Sequence, residues 1–276
     1  MFNVNNKFYD SIKDDIILKE VSNLLIPFDS KWKNIAVNLS GGADSALLTY
    51  ILCTIIKENN LDTVINIITY QRCWETRPWQ GHVSKQVYSW LKLEFPNIIG
   101  ERITTYIPPE IEHGVIGNIV NDRSGDQIIV GSFNKFAAWE YNLDAVYNAT
   151  SKNPDDLRED RMTNRDKDAE DGNLMDLWMP SKKVNATFVH PFRFVKKDWI
   201  VAQYHILDIL DLYNTTRSCE GDINHHQQVK EACNSFSDYY SGMDIPECGE
   251  CWWCEEREWA NRRVEKTIEE INDYNR

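Results

Sequence analysis

Apolar positions alternate between two spacings over most of the chain. Ile35-Ala36-Val37-Asn38-Leu39 is a short apolar run that predicts a buried strand, and Ala46-Leu47-Leu48-Thr49-Tyr50-Ile51-Leu52, just beyond it, predicts a helix. The β-branched run from Thr63 to Tyr70 predicts a second strand, His82 to Glu94 a helix, and Arg102 to Ile107 a third strand. Ile128 to Trp139 reads as helix and Leu143-Asp144-Ala145-Val146-Tyr147 as a further strand. From Lys196 to Leu210, Trp199, Ile200, Gln203, Ile206, Leu207 and Leu210 make one stripe at helical spacing, and the charged tail from Glu255 to Asn275 is a last helix. Ahead of Lys33, Ile12, Ile16, Ile17, Val21, Leu24 and Leu25 suit an amphipathic leading helix. Strands that alternate with helices predict an α/β fold, a parallel sheet flanked by helices, with ligands at the carboxyl ends of its strands.

This pattern divides the chain into an N-terminal helical extension (1–32), an α/β unit (33–210) and a small C-terminal helical region (211–276). Within the α/β unit, 151–183 loses its periodicity and mixes charges, from Asp155 and Arg158 to Glu170 and Asp171, which predicts a solvated insert.

The junction of the first strand and helix is Ser40-Gly41-Gly42-Ala43-Asp44-Ser45. Two glycines let a backbone approach an anion with no side chain between, and amides at the start of a helix point towards it. Ser40 and Ser45 add hydroxyl donors, while Asp44 suits either a magnesium ion or a helix cap. The plainer reading is a strand-to-helix turn whose Asp or Ser caps the helix. Six specified residues between a readable strand and a readable helix favour phosphate binding instead. Neither G-x-x-x-x-G-K-[ST] nor G-x-G-x-x-G occurs here.

Charge narrows the partners. With 30 Lys and Arg against 43 Asp and Glu, the net charge of -13 disfavours nonspecific attraction to nucleic acid or anionic membrane, so a small-molecule substrate is expected. The N-terminal residues lack a secretory pattern and no apolar run is long enough to span a bilayer, which predicts a cytoplasmic protein with no membrane partner. In that compartment seven cysteines read as metal chemistry rather than disulfides.

Cys248-Gly249-Glu250-Cys251-Trp252-Trp253-Cys254 places three thiols on one tight loop, with Cys219 upstream. Four sulfurs suit tetrahedral Zn²⁺, and an iron–sulfur cluster is the rival. Cys233, His225 and His226 lie between Cys219 and Cys248 and compete in principle for the fourth position. Cys53 falls in the apolar helix and reads as core; Cys73 has no assigned place.

The order strand, Ser-Gly-Gly-x-Asp-Ser, helix resembles the PP-loop of the ATP pyrophosphatase family. The resemblance implies an adenine nucleotide α-hydrolase-like fold in which Ser40, Gly41, Gly42, Asp44 and Ser45 grip the pyrophosphate of ATP with Mg²⁺. A substrate atom then attacks the α-phosphate and is adenylated. Together with Cys219, Cys248, Cys251 and Cys254, the loop further resembles the 7-cyano-7-deazaguanine synthase family of the queuosine and 7-deazapurine pathway, from about Lys33 to Trp259. Tyr70-Gln71-Arg72 falls on its Tyr-x-Gln-Arg-His pattern, Val130-Gly131-Ser132-Phe133-Asn134 on a Pro-Gly-Arg-Asn that opens a helix, and His190-Pro191-Phe192 with Lys197 on its His-x-Pro-Leu stretch and following lysine. Asn148-Ala149-Thr150 followed by Pro154-Asp155 looks like the segment after its next strand.

That likeness implies a C–N bond-forming ligase that uses ATP, ammonia and a small carboxylate, 7-carboxy-7-deazaguanine, with zinc on the four cysteines and a homodimeric state. Lys197 and Arg72 become the candidate catalytic residues, Lys197 for charge on pyrophosphate and Arg72 for a carboxylate or phosphate. Differences from the family are Cys73 for the histidine after Gln-Arg, Ser132 and Phe133 for the arginine, and no acidic residue directly after Asn148-Ala149-Thr150. Thiolation of tRNA, another use of the same loop, ranks lower for so acidic a chain. A zinc-stabilised interaction module with a vestigial ATP site is the reading outside enzymes.

Overall fold

The first four strands run in the same direction because a helix carries the chain back between each of them. The structure is a computed structural model and describes residues 24, 26, 28–72, 79–107, 125–154, 157, 178–181, 184–219 and 247–274. Strand β1 (Asn34–Asn38) leads to α1 (Ala43–Glu58) and β2 (Val64–Arg72), then α2 (Gln80–Glu94) and β3 (Ile99–Ile107). Next come α3 (Gly125–Glu140), β4 (Ala145–Tyr147), β5 (Trp178–Ser181) and β6 (Ala186–Val189). Three helices close the described chain: α4 (Lys197–Ile206), α5 (Leu210–Thr215) and α6 (Trp252–Tyr274).

The sheet order is β3-β2-β1-β4-β6-β5, with five strands parallel and β5 antiparallel at the edge. The α/β expectation holds, with strand and helix limits shifted by a few residues. The expectation of a solvated insert over 151–183 needs correction at both of its ends. Ser151 and Pro154 are buried, and Trp178–Ser181 pairs with Ala186–Val189 as the sixth strand. A four-residue strand containing Pro180 has little sequence signature, and an edge position is where a proline costs no central ladder bond. Of the predicted N-terminal helical extension (1–32), only Leu24, Ile26 and residues 28–32 are described, and 28–32 form a turn rather than a helix.

Period-two alternation sorts β1 between two cores. Ile35, Val37 and Leu39 pack with Leu47, Leu48 and Ile51 of α1 and with Trp199 and Ile200 of α4. Ala36 faces the other way, into a smaller core with Ile68, Val146 and Ala137 and Ala138 of α3. Cys53 is fully buried, as its apolar helix predicted, and burial pushes its thiol up. Trp259, Ala260 and Val264 bring α6 onto the larger core, and Arg263 on that helix bonds Asp198 of α4 at 2.9 Å. Among the described residues no helix is long and apolar enough to cross a membrane.

Strand β1 has β2 on one side and β4 on the other, so the connections leaving it and arriving beside it run to opposite flanks. A crevice opens at such a switch point, outside the carboxyl ends of the strands. Ser40 to Ser45 sit there.

Candidate functional site

The glycine-rich turn is a small hydrogen-bonded unit. Ser45 Oγ donates to the Gly42 carbonyl at 3.1 Å and accepts from the Ser40 amide at 3.2 Å, the two hydroxyls lie 3.2 Å apart, and the Gly42 amide donates to Ser40 Oγ at 3.3 Å. Gly42 is the N-cap of α1 and no side chain caps the helix. The capping alternative therefore fails, and the first amides of a 16-residue helix face the crevice with the favourable end of its dipole.

Each glycine has a separate reason. Gly41 has φ +86°, and a Cβ there would lie 2.8 Å from the Ser84 amide nitrogen and 3.0 Å from Val83 Cγ1, both on α2. Gly42 has φ -79°, a value open to any residue, and its nearest neighbour to an added Cβ would be Ser40 Oγ at 3.4 Å. Gly41 fits the turn against α2, whereas Gly42 keeps the cradle bare.

Asp44, in the first turn of α1, is held on both oxygens. Ser151 Oγ, just past β4, donates to Oδ2 at 3.0 Å, and Lys197 Nζ, from the first residue of α4, pairs with Oδ1. Lys197 is 4% exposed, and its Nζ also lies 3.6 Å from Glu256 Oε2, whose side chain is fully buried on α6. A buried ammonium at a helix N-terminus works against the dipole, and two carboxylates offset that cost. Tyr204 of α4 donates to the Ala43 carbonyl at 2.6 Å, fastening the same helix to the loop.

A third segment crosses the loop from outside the sheet. The Arg217 amide donates to the Gly41 carbonyl at 2.9 Å, and the Arg217 guanidinium lies over the Trp79 ring, 4.7 Å from its centroid. Ser40, Gly42, Asp44, Gln80, Lys197 and Arg217 thus share one cleft, which Ser218, Cys219 and Trp253 continue.

The cleft runs directly into the sulfur site. Cys219 and Cys248 are 3.5 Å apart at Sγ, Cys251 and Cys254 3.5 Å, Cys248 and Cys254 3.9 Å, and all four sulfurs lie within 4.8 Å of one another. Gly249, at φ +74°, makes the turn that brings Cys251 back beside Cys248. The hydrogen bond with Cys219 is the main reason the Cys251 thiol is pushed up to about 12, and the same partner pushes Cys254 higher still. So dense a cluster resists losing protons unless a cation compensates, which suits a metal site built on thiolates. Among the candidates for the fourth ligand, Cys219 is the one in place; Cys233, His225 and His226 lie outside the described residues.

No family model and no curated protein matches the chain. Solved structures do. A U34-tRNA thiolase, NcsA, from Methanococcus maripaludis with its [4Fe-4S] cluster is 13% identical at a TM-score of 0.46, covering 94% of this chain and 79% of that one. An NMN synthetase from Francisella tularensis is 13% identical at 0.41, covering 96% and 94%, and an NAD⁺ synthetase from Burkholderia pseudomallei is 10% identical at 0.39, covering 90% and 92%. At such scores the likenesses carry no argument about chemistry, which rests on the residues themselves.

One predicted residue and one predicted segment lie apart from the loop set. Arg72 closes β2, its backbone in register with Ile107, while its side chain and Cys73 lie outside the described residues. Val130 to Asn134 does not open a helix: it lies inside α3, five residues beyond the start, and Asn134 Oδ1 accepts from Tyr70 Oη at 2.6 Å. Sequence reading missed Ser151, Glu256, Arg217 and Trp79. Ser218 and Arg217 beside Cys219 were the one readable hint, since a metal ligand fixes its neighbours; Glu256 sits in a charged helical run that looks entirely solvated.

Proposed function

We propose that this chain is an ATP-consuming, AMP-forming enzyme that activates a carboxylate and joins it to ammonia. The observation that carries the reading is the uncapped start of α1, with Gly41-Gly42 and the Ser40 and Ser45 hydroxyls, seated at the switch point beside β1. A carboxylate has a poor leaving group. Attack of its oxygen on the α-phosphate breaks the α–β P–O bond, the electron pair leaves with pyrophosphate, and the acyl adenylate then loses AMP when ammonia adds, giving an amide. Resemblance to 7-cyano-7-deazaguanine synthases assigns 7-carboxy-7-deazaguanine as the acid, with a second adenylation of the amide and loss of AMP yielding the nitrile.

The chain's own residues serve the departing group. The loop amides and hydroxyls offer preorganised donors to pyrophosphate. Asp44 keeps lone pairs beyond those used by Lys197 and Ser151, so it fits a magnesium ion held mainly by phosphate oxygens. Lys197 sits between Asp44 and Glu256 and positions Asp44 rather than reaching out as a lone cation. Arg72 remains the candidate for an acceptor carboxylate, at the carboxyl end of β2.

The four cysteines support a single Zn²⁺. Sulfurs around one tetrahedral zinc at about 2.3 Å stand about 3.8 Å apart, and the separations here run from 3.5 to 3.9 Å where they bond one another. Thiolates on a four-iron cluster bind four different irons and must stand further apart.

A relative that activates another carboxylate is the second reading. Its support is Asn134, which is buried against Tyr70 in the middle of α3 at the segment where the synthase pattern opens a helix. The test is purified protein with ATP, Mg²⁺, ammonia and 7-carboxy-7-deazaguanine, assayed for AMP, pyrophosphate and nitrile. ADP and phosphate as products would overturn the adenylation reading; AMP and pyrophosphate with other acids only would overturn the substrate alone.

A further inference from the structure

Helix α3 covers the smaller core with Ala137 and Ala138 and turns aromatic rings outward. Tyr70 Oη on β2 donates to Asn134 Oδ1 at 2.6 Å and lies 3.0 Å from the Val130 carbonyl, which sets the rotation of α3 on the sheet. From Tyr70 the rings step away from the core. Phe133 meets it edge-on at 5.8 Å, Phe136 lies 5.8 Å from Phe133, and Trp139 lies 6.4 Å from Phe136. Phe136 is 49% exposed and Trp139 is 65% exposed. Because each outer ring leans on the next, little side-chain freedom remains to be lost when the face is covered. Rigid aromatic side chains of this kind are the anchors around which protein interfaces are built.

We infer that this face of α3 docks a second copy of the chain, as a parallel pair of α3 helices. Charge selects the occupant. Phe136 and Trp139 stand three residues apart and share one face, and the exposed Lys135 and Glu140 fall on its two opposite flanks. About a two-fold axis parallel to the helix, Lys135 comes beside Glu140 of the second copy on one flank, and Glu140 beside its Lys135 on the other. An antiparallel pair would set lysine against lysine and glutamate against glutamate. Flanking charges of opposite sign fix the orientation of paired helices in this way, and the patch is complementary to itself, as a two-fold interface requires. With one charge of each sign beside the rings, the patch is locally neutral on a chain of net charge -13, so two copies meet here without the repulsion imposed by the rest of the surface. Nucleic acid or an anionic membrane would want cations on both flanks, and Glu140 holds one of them.

Two part-covered rings per copy with their flanking side chains bury on the order of 1,000 Å² in total, at the small end of specific interfaces. The pair is therefore reversible, with a Kd on the order of 10–100 µM. Helix α3 packs on the face of the sheet opposite α1, so the inference stands apart from the chemistry proposed above.

The experiment is analytical ultracentrifugation of the full chain from about 1 µM to about 300 µM, with melting temperature as the control for folding. Wild type should pass from monomer to dimer across that range. Trp139→Gln, a change at an exposed helical position, should melt with wild type and stay monomeric. Lys135→Glu and Glu140→Lys should each raise the Kd at least about fivefold, since each pair occurs twice in the dimer. The double variant exchanges the two roles and should return the Kd to within about twofold of wild type. A wild type that is monomeric at the highest concentration overturns the inference, as does a Trp139→Gln protein that dimerises like wild type. Single charge variants without effect, or a double variant without recovery, overturn the parallel pair. Should Trp139→Gln melt early, the charge variants decide alone, because Lys135 and Glu140 are exposed.

Discussion

Substituting alanine at Gly41 and at Gly42 separates the two tasks of the cradle. At Gly41 the φ of +86° puts an L-residue in the left-handed region, at a cost of about 1–2 kcal/mol. The new methyl would also stand 2.8 Å from a backbone nitrogen on α2, and overpacking of that kind costs about 1–3 kcal/mol. Gly41→Ala should therefore lose about 2–5 kcal/mol, and with about 2–4 °C per kcal/mol for large domains the melting temperature should fall by at least about 4 °C. Gly42→Ala starts from φ -79° with its closest contact at 3.4 Å, so its fold should stay within about 1 kcal/mol of wild type. Its methyl would nevertheless project where an anion meets the helix amides, and magnesium ATP affinity should drop by at least about tenfold. Urea titrations give the first quantity and nucleotide calorimetry the second. If Gly42→Ala binds ATP normally, or Gly41→Ala melts with wild type, the separate roles assigned to the glycines are wrong.

Further outcomes follow from the ion network, the sulfurs and one histidine. Lys197→Met should lose about 3–5 kcal/mol, because it takes the ammonium out from between two carboxylates, one of them fully buried; adding Glu256→Gln should recover part of that loss in urea melts, and a purely additive pair would reject the coupling. Cys248→Ser should lower metal content on elemental analysis; retained zinc in that variant would remove Cys248 from the site. Burial, then Arg193, pushes the His190 imidazole below its usual value. The unfolded state thus binds the proton more readily, with a pKa near about 6.5, so stability is full above that value and declines as pH falls through it. His190→Gln should flatten the decline between about pH 7 and pH 5, and an unchanged slope would assign it to other groups.

The legible part of this site is the part that is contiguous. Strand, Ser40 to Ser45 and helix follow one another within 25 residues, so periodicity and turn chemistry reinforce each other. The three clustered cysteines are legible for the same reason. Residues that complete the site come from positions where local pattern says something else. Glu256 is flanked by Glu255, Arg257 and Glu258, a composition that reads as solvent-facing, yet it is fully buried because α6 turns that one side chain towards Lys197. Ser151 stands at the head of a charged stretch and is buried only because β4 delivers it beside Asp44. Strands β5 and β6 have four residues each, too few for alternation to show, and exist by pairing with each other and with β4.

The bond between Lys197 and Asp44 spans 153 residues, and the contact with Glu256 extends further still, to the final helix. Closing such long loops is slow and carries its entropy cost before the contact returns anything. A chain emerging from the ribosome displays its glycine-rich turn early, but the lysine and the buried glutamate that reach it arrive only with the last third of synthesis. Completion of the loop's ion network is therefore a late event of folding, and a product cut short before α6 would carry the glycine-rich turn without the buried carboxylate beside its lysine.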